Sequence, residues 1–91
     1  MLHAAIDLGG SSGRVTVGEL VNEKIVLTEL HRFKHEPIQS NDGLFWGWHF
    51  ILDQIKIGLN KACEMGQVET LGVDSWAVDY GLLDAKGELL A

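Results

Sequence analysis

The spacing of apolar residues changes character along the chain, and each change marks an element. His3 to Leu8 is a short, mostly apolar run that ends at a glycine pair. A run of this length bounded by turn residues reads as a buried strand. Gly9-Gly10-Ser11-Ser12-Gly13 is a turn built from the smallest residues available. Arg14 to Leu20 then alternates, with Val15 and Val17 on one face and Arg14 and Thr16 on the other. That period predicts a second strand. Val21-Asn22-Glu23-Lys24 is a turn, and Ile25 to Phe33 alternates again. Strand, glycine turn, strand, short turn, strand predicts an antiparallel meander.

Residues 34–47 read as irregular; they hold Pro37 and the strong turn signal Ser40-Asn41-Asp42-Gly43. Phe45, Trp46 and Trp48 follow as an aromatic cluster that reads first as packing or as a partner-facing patch. A helix is predicted from His49 to Met65, because Ile51, Ile55, Leu59 and Ala62, flanked by Leu52 and Cys63, recur at helical spacing. On this reading Cys63 is a small core residue. Asp53, Lys56, Asn60, Lys61 and Glu64 take the other side, and Gly66 suits a left-handed cap. Leu71 to Trp76 reads as a fourth strand and Tyr80 to Leu83 as a fifth, before Ala85-Lys86-Gly87 turns the chain into Glu88-Leu89-Leu90.

The element order is β-β-β-α-β with further strand after it. The helix links the meander to strand 71–76, which a right-handed crossover places parallel to strand 3–8. The expected fold class is therefore α/β, a mixed sheet with a helix on one face. That is the core order of the ribonuclease-H-like fold, shared by actin-like ATPases and sugar kinases.

Composition narrows the function. The 91 residues make one small domain with a thin core, burying about 60–65% of the unfolded surface. Apolar residues at 46% and charged residues at 22% are ordinary globular usage, which argues against intrinsic disorder. A net charge of -6 argues against a nucleic-acid surface. The single cysteine allows no internal disulfide, and no apolar run approaches the ~20 residues of a membrane span. No signal peptide is visible. A soluble cytoplasmic piece of something larger is expected. The histidines His3, His31, His35 and His49 share no ligand spacing, which argues against structural zinc.

Candidate chemistry sits in two strings. In Asp7-Leu8-Gly9-Gly10-Ser11-Ser12-Gly13-Arg14, a carboxylate at a strand end faces a turn of backbone amides unshielded by side chains. Successive amides in such a turn form a concave anion site. Gly9, Gly10 and Gly13 permit close approach and positive φ. Ser11 and Ser12 add hydroxyls, and Arg14 a charge-assisted contact. Asp7 makes sense beside a phosphate only with Mg²⁺ or its waters between them. The bland alternative is a glycine-rich hairpin with a surface Asp. The Gly-Lys-Ser/Thr ending of a P-loop is absent. The second string is Gly72-Val73-Asp74-Ser75-Trp76-Ala77-Val78-Asp79-Tyr80. If its strand lies beside strand 3–8, Asp74 comes near Asp7, and such carboxylates suit a metal or the hydroxyls of a polyol. A buried, unpaired Asp would be expensive, which favours a functional cluster. Trp76 could offer an apolar face to a sugar, but on its own it reads as core.

These strings, together with His31-Arg32-Phe33, Gly43 to Trp46 and Gly58-Leu59-Asn60-Lys61, resemble the amino-terminal end of the FGGY carbohydrate kinases, specifically the branch that phosphorylates L-rhamnulose. The resemblance runs in order along essentially the whole chain. It implies transfer of the γ-phosphate of ATP to the 1-hydroxyl of L-rhamnulose, with Mg²⁺. It implies that Gly10, Ser11, Ser12, Gly13 and Arg14 form the nucleotide-phosphate segment, that Asp7 lies close to the metal, and that Trp76, Ala77 and Asp79 touch the sugar. The family usually has a glycine where this chain has Ala77, so an added methyl would narrow that contact. It also tends to carry an Asp where this chain has Gly47, which bears only on a helix cap. The catalytic base, a second phosphate loop and the adenine pocket are expected beyond residue 91, in the remainder of an incomplete first domain and after it. No catalytic residue is therefore expected within these residues, and the piece alone is expected to have negligible kinase activity. Other FGGY sugars, L-fuculose or xylulose, are alternatives. So is a two-metal ribonuclease-H-like nuclease, or a non-catalytic sensing module of the same fold. Strands 71–76 and 80–83 are expected to present apolar surface, so the chain is expected to self-associate.

Overall fold

The computed structural model describes residues 1–77 and 80–90. The meander forms as the alternation predicts: β1 (Leu2–Leu8), β2 (Ser12–Val21) and β3 (Lys24–Lys34). The β2–β3 turn places Asn22 at φ 50° and Glu23 at φ 67°. Two successive positive φ values are the two-residue hairpin geometry whose twist matches the strands. The segment expected to be irregular contains a small separate hairpin, β4 (Ile38–Ser40) and β5 (Gly43–Phe45), closed by the Ser40–Gly43 turn. Helix α1 (Trp48–Met65) follows, then β6 (Val68–Asp74).

The main sheet has the order β3-β2-β1-β6. β1 is antiparallel to β2 and parallel to β6, so the expected crossover is present. Leu2, Ala4, Ile6 and Leu8 of β1 and Val15 and Val17 of β2 are buried under α1, which contributes Ile51, Ile55 and Ala62. Gly58 is buried with them. A Cβ there would lie 2.4 Å from Val15 Cγ2, so only glycine lets the helix settle onto β2 at this distance. Polar side chains tie α1 to β3: His31 Nε2–H donates to Gln54 Oε1 at 2.7 Å, and Lys61 Nζ donates to His31 Nδ1 at 3.3 Å.

Several expectations are corrected. The buried helix stripe is Ile51, Ile55, Gly58 and Ala62, and Cys63 is exposed. One residue is about 100° of helix rotation, enough to carry Cys63 past the edge of the stripe. Gly66 has φ 157° and ψ −167°, an extended conformation open to glycine and not a left-handed cap. β6 begins at Val68 and ends at Asp74, because its register with β1 runs from Leu2 to Asp7 and the chain then leaves the sheet. Tyr80 to Leu83 forms no named strand; there is an isolated bridge between Leu83 and Leu89. The turn at 85–87 is present, capped by Asp84 Oδ1, which accepts from the amides of Lys86 (2.8 Å) and Glu88 (2.9 Å). The expected apolar surface is real, with Leu71, Val73, Tyr80, Leu82 and Leu83 all exposed. Among the described residues no helix is long and apolar enough to cross a membrane.

Candidate functional site

Because β1 and β6 are parallel neighbours, their carboxyl ends open on one rim of the sheet, and Asp7 and Asp74 are register partners there. Strand alternation puts Leu8 and Ile6 under the helix and Asp7 on the opposite, open face. Arg14 is the partner of Asp7 on β2, with Nε 3.4 Å from Asp7 Oδ2. Asp7 is half-buried and Asp74 exposed. The expectation of a costly buried carboxylate therefore does not hold, since water solvates both. The Asp7–Arg14 pair, about half exposed, is worth about 0–1 kcal/mol, so either partner can turn to a ligand at little cost.

The glycine turn lies at the same rim. Gly9 N–H donates to Ser12 O at 2.8 Å, closing it. Around Gly10 a Cβ would meet nothing within 4 Å, so its backbone is open to a close approach. None of Gly9, Gly10 and Gly13 takes a positive φ, so access, and not unusual backbone geometry, is what glycine provides at Gly10. Gly13 differs from it. It is buried, and a Cβ there would lie 2.4 Å from Phe33 Cζ, so packing explains that glycine. A shallow open depression beside the turn is lined by Ser11, Ser12, Arg32, Lys34, His35 and Glu36.

Ligand spacing along the chain does not single out His35. It is 4% exposed, its backbone N–H donates to Ser11 O at 3.1 Å, and its Nε2–H donates to Gly9 O at 2.9 Å. The strand register accounts for its place: Lys34 pairs with Ser12, so the next residue falls beside Ser11, but a register shift between Val15 and Thr16 hides this pairing from the sequence. The His35 ring also meets Trp46 and Trp76 edge-on, with centroids at 5.5 and 5.9 Å. Trp46 and Trp76 stack at 4.3 Å and 12°. Trp76 therefore packs against the core, as its lone reading suggested, although it follows β6 directly at the rim. Ala77 is exposed, and Asp79 lies outside the described residues.

Among the described residues no three His, Cys, Asp or Glu side chains are grouped to hold a metal by themselves. Asp7 and Asp74 suit a smaller task. Mg²⁺ keeps several waters and commonly uses one or two carboxylates plus substrate phosphates, and two carboxylates are what this rim offers.

No family model matches the chain. The chain is 45% identical over 91 residues to the rhamnulokinase of Bacillus subtilis, covering 99% of this chain and 19% of that protein. It is 47% identical over 81 residues to that of Halalkalibacterium halodurans, covering 88% of this chain and 17% of the relative. To that of Ligilactobacillus salivarius it is 42% identical over 89 residues, covering 97% and 18%. The chain thus spans less than a fifth of the curated relatives it matches, as an amino-terminal piece would. Identity at this level along nearly every residue, with the aspartate rim and the open glycine turn assembled on one sheet edge, makes the chain a member of the rhamnulokinase family.

Proposed function

We propose that the chain forms the first phosphate-contacting unit of an ATP-dependent sugar kinase that phosphorylates the 1-hydroxyl of L-rhamnulose. The observation that carries this reading is the parallel β1–β6 register, which sets Asp7 beside Asp74 at the rim where the Gly10 backbone is open. The identity to rhamnulokinases supports the reaction class. The strand order β3-β2-β1-β6, with α1 as crossover, supports a ribonuclease-H-like core. The nuclease alternative shares only the paired aspartates, and the relatives favour the kinase.

Catalysis of phosphoryl transfer is mostly positioning and charge stabilisation. In this reading the amides and hydroxyls of Gly10, Ser11, Ser12 and Gly13 hold phosphate oxygens, and Arg14 leaves Asp7 to pair with a phosphate. Asp7 would hold Mg²⁺, which would supply charge neutralisation for the phosphates. Trp76, Ala77 and Asp79 orient the ketose, which meets the side of Trp76 not taken by Trp46. The general base that must accept the hydroxyl proton is assigned to no residue of this chain.

Titrating the ¹⁵N-labelled chain with Mg·ATP tests the reading. Amide shifts confined to 10–14 are expected, and L-rhamnulose should shift the Trp76 indole while L-fuculose and xylulose should not. Shifts spread evenly over the helix, or none at 10–14, would overturn it. ADP release by the chain with ATP and L-rhamnulose should be negligible, and turnover like that of a complete kinase would contradict the division of labour.

A further inference from the structure

We propose that His35 is a positioning residue that sets the shape of the Gly9–Ser12 turn and links it to Trp76. The inference rests on the phosphate role proposed for that turn. His35 grips the turn at two points, with its backbone N–H on Ser11 O (3.1 Å) and its Nε2–H on Gly9 O (2.9 Å). Between those two carbonyls lies the Gly10 backbone, which has open space around it and is otherwise shaped by the Gly9 N–H to Ser12 O bond that closes the turn. A carbonyl oxygen only accepts, so Nε2 carries the proton and the ring is held in one tautomer. The ring cannot move alone, because it sits among Phe33, Trp46 and Trp76 with centroid distances of 6.1, 5.5 and 5.9 Å. Its Nδ1 is buried with no partner among the described residues, as is Nε1 of Trp76. Burying polar atoms unpaired is unfavourable, so a site that keeps them values where the ring sits over how well it is solvated. A displacement of Trp76, in the segment read as sugar-facing, is thereby passed through the His35 ring to Gly9 O. The His35 side chain thus joins the Trp76 ring to a backbone carbonyl 26 residues away in the chain.

The test compares His35→Phe and His35→Leu, which keep apolar bulk without a donor, with His35→Gln, whose side-chain amide can reach where Nε2–H does. Amide hydrogen exchange is read at Gly9, whose N–H closes the turn, and at Val15 and Val17 in the sheet. Expected is a rise of about five- to tenfold at Gly9 in the Phe or Leu variant, the worth of one ordinary hydrogen bond, with Val15 and Val17 unchanged and Gln restoring the Gly9 rate. Equal acceleration at Val15 and Val17, or no recovery with Gln, would overturn the positioning role and leave His35 as ordinary core. Two apolar variants guard against one failing to fold. Mg·ATP titration of the same proteins separates the two claims. If Gly9 responds as expected while the wild-type chain shows no shift at 10–14, the positioning role stands and the phosphate reading falls. In the variants Mg·ATP should bind about five- to tenfold more weakly, again with recovery in His35→Gln.

Discussion

Strands β2 and β6 of the main sheet both carry alternating apolar residues and meet different surroundings. Under α1, Val15 is 0% and Val17 1% exposed. On β6, Leu71 is 53% and Val73 62% exposed, although their partners Ala4 and Ile6 on β1 are buried. Both groups are apolar residues on the same sheet face. The difference is that a single helix covers only part of that face. An apolar pattern thus states which side of a strand seeks cover; it does not state whether cover is present. The uncovered strand β6 also leads into the rim where Asp74 and Trp76 sit, so the candidate site adjoins a part of the sheet that α1 does not cover.

Mutations can break this contrast. The largest effect is expected from Ile51→Ala, since Ile51 is 0% exposed at the centre of the larger core cluster. A loss of about 2–5 kcal/mol in urea unfolding is expected, enough to unfold a chain with so thin a core. Gly58→Ala comes next. A methyl would meet Val15 at 2.4 Å and lift the helix, costing about 1–3 kcal/mol, from which the better helix propensity of Ala returns up to about 1 kcal/mol. On the exposed edge the double change Leu71→Ser, Val73→Ser should cost less than about 1 kcal/mol. It should instead lower the self-association we expect of this edge, read as a fall in sedimentation coefficient with dilution becoming flat. If the wild-type chain is already monomeric across the same range, the uncovered edge is not an association surface. The smallest effect on stability, within about 0.5 kcal/mol, is expected for Gly10→Ala, because nothing lies within 4 Å of the added methyl. That variant should nonetheless weaken Mg·ATP binding, which separates the function of this glycine from the packing role of Gly13.

Much of the fold was legible because it is written in local periods. A bounded apolar run locates β1, period-two alternation locates β2 and β3, and period-3.6 spacing locates α1 to within a residue of its start. Element order and the handedness of crossovers predict a parallel strand, and the nearness of Asp7 to Asp74, conditional on the two strands being neighbours, is met by their register. The misreadings have physical causes. The hairpin of β4 and β5 was hidden because three-residue strands are too short to show alternation. Gly58 was hidden because its role is an absence of side chain, which no hydrophobic pattern scores. Apolar character without angle around the helix puts Cys63 in the core, whereas its angle carries it to the exposed side.

His35 marks the boundary between the two kinds of information most clearly. By itself the sequence determined the three-stranded meander and the helix, the glycine turn after β1, the carboxylate at its start and the family that those strings resemble. Each is encoded by neighbours a few residues apart, where backbone stereochemistry and side-chain alternation act directly. Only the tertiary structure decided that His35 grips Gly9 and Ser11, that Trp76 stacks on Trp46, and that the apolar residues of β6 stay uncovered. Those outcomes depend on register between strands far apart in the chain and on how closely a helix can approach a sheet. Both are settled by packing once the elements meet.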